Sequence, residues 1–309
     1  MKNFLKISLI NILIVFFVLI IAEFCAFVIE MKVLYDEGCF QEKTISKNIT
    51  KIARHYHNIV SGWNNEPYQK DSLRKPEKTT QEEQNIYILG CSFAYGHQLK
   101  KEQTLQYKLA KQTKMNVFNF AVSSTGPREM LHILRNKEFL NKNNLIGGDF
   151  AEYFIYIIIG DHYRRLIYDL NEHAPHYKKT NNNDLILLKN KFFYCSYLYR
   201  QLKLLQYNYM KEEEIKNLFN LYIEKINKEI KQDFKNSKNQ PTDLIIIDWG
   251  ANITLPENLK KQGVKVITLQ ELTEIDLNNT EYHISDKDTH PNEKAWNIIV
   301  PALVKKLGL

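Results

Sequence analysis

Two short blocks, far apart in the chain, contain a serine and an acid–histidine pair. The first block, Gly90–Gly96, reads Gly-Cys-Ser-Phe-Ala-Tyr-Gly and contains Ser92. The second block, Asp288–Asn292, reads Asp-Thr-His-Pro-Asn. A serine hydroxyl becomes a nucleophile when a histidine takes its proton and a carboxylate orients that histidine. These residue types predict Ser92 as nucleophile, His290 as base and Asp288 as orienting acid. The first block alone is equally typical of an ordinary strand-to-loop turn.

The elements that would position these blocks follow the rhythm of an α/β protein. Short apolar runs, rich in β-branched and aromatic residues, predict parallel strands buried on both faces. A serine just past the first of these strands would lie at the carboxyl edge of the sheet, where open α/β sheets bind ligands. The pattern predicts a three-layer α/β/α fold with a flavodoxin-like, five-stranded parallel sheet. The strand candidates are Ile86–Leu89, Val117–Val122, Tyr153–Ile159, Leu244–Ile247 and Val264–Leu269, and the helical stretches are Leu105–Gln112, Arg128–Phe139, Pro256–Gln262 and about 292–307.

From about residue 85 to residue 307 the chain resembles the SGNH (GDSL-like) hydrolases and acyltransferases. Their first block is Gly-Asp-Ser with a glycine four residues later, and their last is an acid shortly before His, often followed by Pro-Asn. The resemblance implies ester cleavage or acyl transfer through Ser92, His290 and an acid. The family often places that acid three residues before the histidine, where this chain has Lys287. The Asp-x-His spacing of relatives that acetylate extracellular polysaccharides favours Asp288 over Asp286.

The middle blocks of the family supply groups that bind an oxyanion. The family's glycine falls on Ser124, whose backbone N–H could serve equally, and the family's asparagine falls on His162, whose imidazole N–H can donate. The resemblance thus implies an oxyanion site made by the amides of Ser92 and Ser124 with His162. An ordinary turn with Ser/Thr caps and a structural histidine are the alternatives. Gly126, Asp161 and Arg164 are the candidate substrate-binding residues, although a solvated arginine is the simpler interpretation.

The segment 161–241 is too long for a simple crossover between strands. Apolar residues from Ile215 to Ile230 recur at helical spacing with charges between them, which predicts a long amphipathic helix. Together with the aromatic residues that precede it, this segment is interpreted as a helical insert that forms a lid or side wall.

The amino-terminal residues differ in kind from the rest. From Ile7 to Ile29 the chain is almost entirely apolar, and Lys2 and Lys6 come before this stretch. Such a length can span a bilayer, and the basic end should stay in the cytoplasm. We therefore expect a signal anchor over 1–32, a tether over 33–84 and the SGNH-like domain over 85–309, outside the cytoplasm (periplasmic or at the cell surface). A cleaved signal peptide is the alternative.

Composition adds few constraints on partners. The net charge of +7 is spread over 309 residues without a long basic block, so no nucleic-acid partner is expected. The cysteine spacings indicate no zinc site, and no cofactor is expected; Cys39 and Cys195 could pair in an oxidising compartment. The leading hypothesis is an esterase or O-acyltransferase acting on an acylated cell-envelope saccharide. A general small-ester esterase and a non-catalytic glycan-assembly protein are the alternatives.

Overall fold

The computed structural model describes residues 14–26, 28, 77, 84–142, 150–167, 175–188 and 197–309. The chain divides into two compact units, one of residues 1–65 with 189–209 and the other of residues 66–188 with 210–309. Cys39, Cys195 and much of the predicted tether lie outside the described residues, so the proposed disulfide and the domain boundaries stay predictions.

The described residues of the first unit form two helices. One covers residues 14–26, within the predicted anchor, and the other is Tyr197–Tyr209. The backbone N–H of Leu198 donates to the Glu23 carboxylate at 3.0 Å. Among the described residues, no helix combines the length and the apolar character that a membrane span requires. Residues 7–13 of the predicted anchor are not among them.

The second unit is built on a parallel sheet. Its strands and two small hairpins are β1 (Gln84–Leu89), β2 (Asn116–Asn119), β3 (Phe150–Ile159), β4 (Tyr177–Lys179), β5 (Leu185–Leu187), β6 (Asp243–Trp249), β7 (Val264–Thr268), β8 (His283–Ser285) and β9 (Asp288–Pro291). The helices, numbered along the whole chain from the first block onward, are α1 (Ser92–Tyr95), α2 (Leu105–Thr113), α3 (Pro127–Arg135), α4 (Lys137–Lys142), α5 (Asp161–Arg164), α6 (Tyr197–Tyr209, in the first unit), α7 (Glu212–Asp233), α8 (Glu257–Lys261), α9 (Leu269–Leu272) and α10 (Glu293–Leu307).

The main sheet has the strand order β2-β1-β3-β6-β7, and every neighbouring pair is parallel. This is the flavodoxin-like order. The predicted five-stranded parallel sheet is therefore confirmed. All five strand candidates form strands, because β-branched runs pack well when both faces of a sheet are covered.

Each face of the sheet has its own apolar core. On one face, alternate strand residues such as Ile88, Ile157 and Ile247 pack with α2 and with Trp296 of α10. On the other face, the intervening residues pack with α3 and α7. The long amphipathic helix predicted within the insert is α7, and its buried positions lie on that second face. The described residues of this second unit thus form three layers, with the carboxyl ends of the parallel strands at one edge of the sheet.

Side-chain hydrogen bonds explain where the elements differ from the sequence pattern. β2 ends at Asn119 rather than at Val122, because the Asn119 side chain bonds the Ala94 carbonyl and the Ala121 N–H and draws the chain out of the strand. The predicted helix 128–139 is split at Asn136, whose carboxamide accepts from the Phe139 N–H and starts α4. Asparagine side chains compete with the backbone in this way at helix and strand ends.

Candidate active site

Ser92 is held at the carboxyl end of β1 by a tight turn. Gly90 has φ +146°, a conformation that side chains rarely adopt, and a Cβ there would lie 2.7 Å from the Ala94 Cβ. The turn therefore requires glycine. It leads through the fully buried Cys91 into α1, whose first residue is Ser92, 9% exposed. The two neighbours point in different directions, with Cys91 to the interior and Ser92 to the sheet edge.

The predicted acid and the predicted base lie on a small hairpin that precedes the last helix. Asp288 and His290 belong to β9, which pairs antiparallel with β8. Asn292 fixes this hairpin, because its side-chain N–H groups donate to the carbonyls of Glu281 (2.8 Å) and His283 (2.7 Å) while its oxygen caps α10. The sequence analysis did not predict this strand pair, which the capping asparagine closes in addition to starting the helix.

The structure joins the two blocks in one hydrogen-bonded chain. His290 Nε2 lies 2.6 Å from Ser92 Oγ, and His290 Nδ1 lies 2.5 Å from Asp288 Oδ1. An ionised carboxylate can only accept, so Nδ1 carries the imidazole proton and Nε2 is left to accept from the serine hydroxyl. Asp286 is exposed in the hairpin turn and makes no hydrogen bond or ion pair within the described residues.

Local electrostatics keep the imidazole uncharged and the acid charged at neutral pH. Burial lowers the pKa of His290 below its ordinary value of 6.5, and the Asp288 carboxylate offsets this only in part. Burial alone would raise the pKa of Asp288, but hydrogen bonds from the His290 backbone and ring outweigh it and lower the pKa. His290 can therefore accept a proton and Asp288 can stabilise the imidazolium that results.

Three residues just after Ser92 contact Asp288 or His290, and the sequence analysis did not predict these contacts. The Gln98 carboxamide donates to Asp288 Oδ2 at 3.1 Å. The rings of Phe93 and His97 lie beside the His290 ring, with centroid distances of 4.9 Å and 5.1 Å. Gln98 has φ +59°, and no residue pattern signals that a glutamine will adopt a left-handed conformation.

Two backbone N–H groups are available near the serine. In the part of the chain that the structure describes, neither the Ser92 N–H nor the Ser124 N–H donates a hydrogen bond. Ser124 has φ +63°, the left-handed region that glycine adopts freely and that costs other residues ~1–2 kcal/mol. A glycine would adopt this conformation without that cost, whereas the serine adopts it here despite its Cβ. Oxyanion binding by the two amides stays a prediction.

His162 lies on α5, just beyond β3, and it is fully buried. Burial lowers its pKa to about 3, so the ring is neutral. Within the described residues neither ring nitrogen has a hydrogen-bond partner, and both are shielded from solvent. In this conformation the ring presents no N–H to the surface, so its contribution to oxyanion binding also stays a prediction.

The candidate substrate-binding residues contact one another or neighbouring side chains of the protein. Asp161 Oδ1 lies 2.7 Å from Arg164 Nε, and Oδ2 lies 2.7 Å from Arg165 Nε. Burial would raise the pKa of Asp161, but the two arginines hold it below its ordinary range. The Gly126 N–H donates to Glu129 at 2.8 Å. These contacts are structural, and substrate binding by Gly126, Asp161 and Arg164 stays a prediction.

Known proteins resemble the chain in structure but not in sequence. No protein-family model and no curated protein matches the sequence. Similar solved structures include the psychrotrophic esterase EstA from Pseudoalteromonas sp. (13% identity, 72% of this chain and 96% of that chain, TM-score 0.36). A second is the acetyl xylan esterase Est2A from the rumen bacterium Butyrivibrio proteoclasticus (11% identity, 72% of this chain and 63% of that chain, TM-score 0.40). A third is the salicylyl-acyltransferase SsfX3 from a tetracycline biosynthetic pathway (9% identity, 75% of this chain and 57% of that chain, TM-score 0.39).

At these identities and TM-scores, the solved structures carry no argument about the family or the activity of this chain. The sheet order, the serine at the end of β1 and the Asp-x-His block before α10 are the features that the sequence resemblance implies. The fold and the arrangement of the candidate site thus agree with the resemblance to the SGNH-type hydrolases and acyltransferases that the sequence indicates.

Proposed function

We propose that the chain is a serine ester hydrolase or O-acyltransferase. The observation that supports this most directly is the hydrogen-bonded chain from Ser92 through His290 to Asp288, which joins segments 198 residues apart at one edge of the sheet. A serine with a purely structural role would not require a histidine whose second ring nitrogen contacts a carboxylate. That arrangement supplies a nucleophile, a base and an orienting acid.

The first half of the reaction forms an acyl-enzyme. Ser92 Oγ attacks the ester carbonyl carbon and passes its proton to His290 Nε2. The negative charge that develops on the carbonyl oxygen is stabilised by the Ser92 and Ser124 N–H groups, and the positive charge on the imidazolium is stabilised by Asp288. His290 then returns the proton to the alcohol oxygen as the carbon–oxygen bond breaks, and the alcohol leaves.

The second half repeats these proton transfers with a new nucleophile. Water or an acceptor hydroxyl gives its proton to His290 Nε2 and attacks the acyl carbon. The tetrahedral intermediate collapses, Ser92 Oγ leaves and takes the proton back, and the acid or the new ester is released. Hydrolysis and transfer differ only in which hydroxyl reaches the site.

A fluorophosphonate probe tests the proposal on the purified full chain. Ser92 Oγ should attack phosphorus, fluoride should leave, and a covalent adduct should form on Ser92. The rate of labelling should rise with pH as His290 loses its proton, with a midpoint below 6.5 because burial lowers the pKa of this histidine. Mass spectrometry of the digested adduct and the labelling rate between about pH 4 and pH 9 provide the measurement.

Absence of labelling at any pH in a folded preparation would contradict the proposal and favour the non-catalytic alternative. Labelling at a residue other than Ser92 would contradict the assignment of the nucleophile. An acid limb centred well above pH 7 would contradict the role of His290 in its present environment.

We further propose an acylated cell-envelope saccharide as substrate, acted on outside the cytoplasm. The apolar stretch Ile7–Ile29 behind Lys2 and Lys6 supports the location. A carboxyl-terminal reporter that is active only in the cytoplasm should be inactive, and an active one would contradict the proposed location.

The Asp-x-His spacing supports the proposed substrate. The kcat/KM for acetate release from O-acetylated polysaccharide should exceed that for a simple alkyl acetate. Equal kcat/KM values for the two esters would contradict the proposed substrate.

A further inference from the structure

The segment Ser123–Gly126, here called the oxyanion loop, has a conformation that its sequence does not favour by itself. Ser124 lies in the left-handed region at φ +63° although it has a Cβ. Such conformations persist only where surrounding contacts determine them. The Ser124 N–H can bind a developing oxyanion only while that conformation is maintained, so the contacts of the loop matter for the proposed reaction.

The residue after Ser124 connects the loop to the turn before the nucleophile. Thr125 is fully buried, and its hydroxyl lies 2.9 Å from the carbonyl oxygen of Gly90. The same hydroxyl also lies 2.6 Å from the carbonyl oxygen of Val122, the residue before the loop. Gly90 comes two residues before Ser92, and Thr125 follows Ser124 directly. The single hydroxyl hydrogen of Thr125 lies between two carbonyl oxygens, so this side chain joins the loop to the turn that precedes Ser92.

The other side of the loop is held by an arginine. Arg165 Nη1 donates to the backbone carbonyl of Thr125 at 2.7 Å. Its Nε and Nη2 contact the same oxygen of Asp161, at 2.7 Å and 2.6 Å, so the carboxylate fixes the guanidinium. The Arg165 side chain is only 11% exposed, which leaves little of it for a substrate. A Cβ at Gly126 would lie 3.0 Å from the Arg165 Cβ, so glycine allows this close approach.

We propose that Arg165, oriented by Asp161, and Thr125 are positioning residues that hold the Ser124 N–H in place for the oxyanion. This inference rests on the proposed ester chemistry and adds residues that act on the rate through another group. Neither side chain touches the reacting atoms. A displacement of about 1 Å in a catalytic group can cost ~10²-fold in rate. Loss of the Arg165 or Thr125 contacts should therefore lower kcat and leave KM nearly unchanged.

The first test compares two arginines in similar settings. Arg135 donates from Nε to Glu229 at 2.9 Å and from Nη1 to the Leu185 carbonyl at 2.8 Å, which matches the bonding of Arg165 at a place remote from the oxyanion loop. With a chromogenic acetate ester, Arg165→Gln should lower kcat by ~10- to 100-fold, with KM changed by less than about threefold. Arg135→Gln should change kcat by less than about threefold, while thermal unfolding reports what each substitution costs the fold.

The second test uses Thr125 in case Arg165→Gln does not fold. Thr125→Val removes the hydroxyl at nearly constant shape, and Thr125→Ser keeps it. We expect kcat to fall by ~10-fold for valine and to stay within about threefold of the parent for serine. Equal kcat values for the two Thr125 variants, an equal kcat for Arg165→Gln and Arg135→Gln, or a loss confined to KM would overturn the proposal. A parent chain that neither labels nor hydrolyses the ester would instead contradict the proposed function.

Discussion

Ser92→Ala should abolish labelling by a fluorophosphonate and lower ester turnover by at least ~10³-fold. Among the described residues, the Ser92 hydroxyl is the one that forms a hydrogen bond with His290 Nε2, so no second hydroxyl is placed to replace it. The fold should remain, since the side chain lies at the sheet edge and its one bond is to a histidine ring that is itself 25% exposed. Water can replace the lost partner there, so thermal unfolding should change little.

Cys91→Ala is the matched control for this prediction. A thiol is a stronger nucleophile than a hydroxyl when its thiolate is favoured, and Cys91 is the adjacent residue. It is fully buried, however, whereas Ser92 reaches the site. Cys91→Ala should keep labelling and turnover apart from a small loss of packing. Retained labelling in Ser92→Ala together with its loss in Cys91→Ala would show the assignment to be reversed.

Asp288→Asn should lower kcat by ~10³- to 10⁴-fold while Asp286→Asn stays close to the parent chain. Asp288 accepts from His290 Nδ1 and so leaves Nε2 free to take the serine proton. A carboxamide can donate instead, which favours the tautomer that carries its proton on Nε2 and cannot accept. Asp286 is exposed in the hairpin turn two residues before Asp288, so the two variants differ in position but hardly in chemistry.

Steady-state kinetics of both variants with one ester, alongside their unfolding temperatures, provide the measurement. Because Asp288 also accepts from Gln98 and from the His290 backbone, a modest loss of stability is expected there and none at Asp286. Equal losses of kcat at the two positions, or a greater loss at Asp286, would show that the orienting acid was wrongly chosen.

The parts of the fold that could be predicted depend on local composition. The strands were found because β-branched runs such as Ile245–Ile247 are buried on both faces, and the turn at Gly90 was found because a glycine follows such a run. Ser92 and His290 could be proposed because each lies in a compact block. The features that could not be predicted are contacts between residues far apart in the sequence. The bond from Gln98 to Asp288 spans 190 residues and depends on a left-handed glutamine.

His162 shows the limit of reasoning from residue type. An imidazole can replace an asparagine as a donor, and the position after β3 matches the expected block. Whether the ring faces the surface depends on how α5 packs, which no spacing encodes. The same applies to Arg165, which the sequence presents as one of two adjacent arginines, while its bond to the Thr125 carbonyl appears only in three dimensions.

The hairpin that carries Asp288 and His290 also determines when the site can exist during synthesis. A ribosome produces Ser92 early and His290 198 residues later, and the hairpin is fixed by Asn292 and by α10, whose Trp296 packs under the sheet. A nascent chain that has not reached this point holds a serine without a base, which is no better a nucleophile than any alcohol. In the proposed reaction, the serine is therefore activated only when β9 and α10 have folded, and a chain that lacks them should not attack esters.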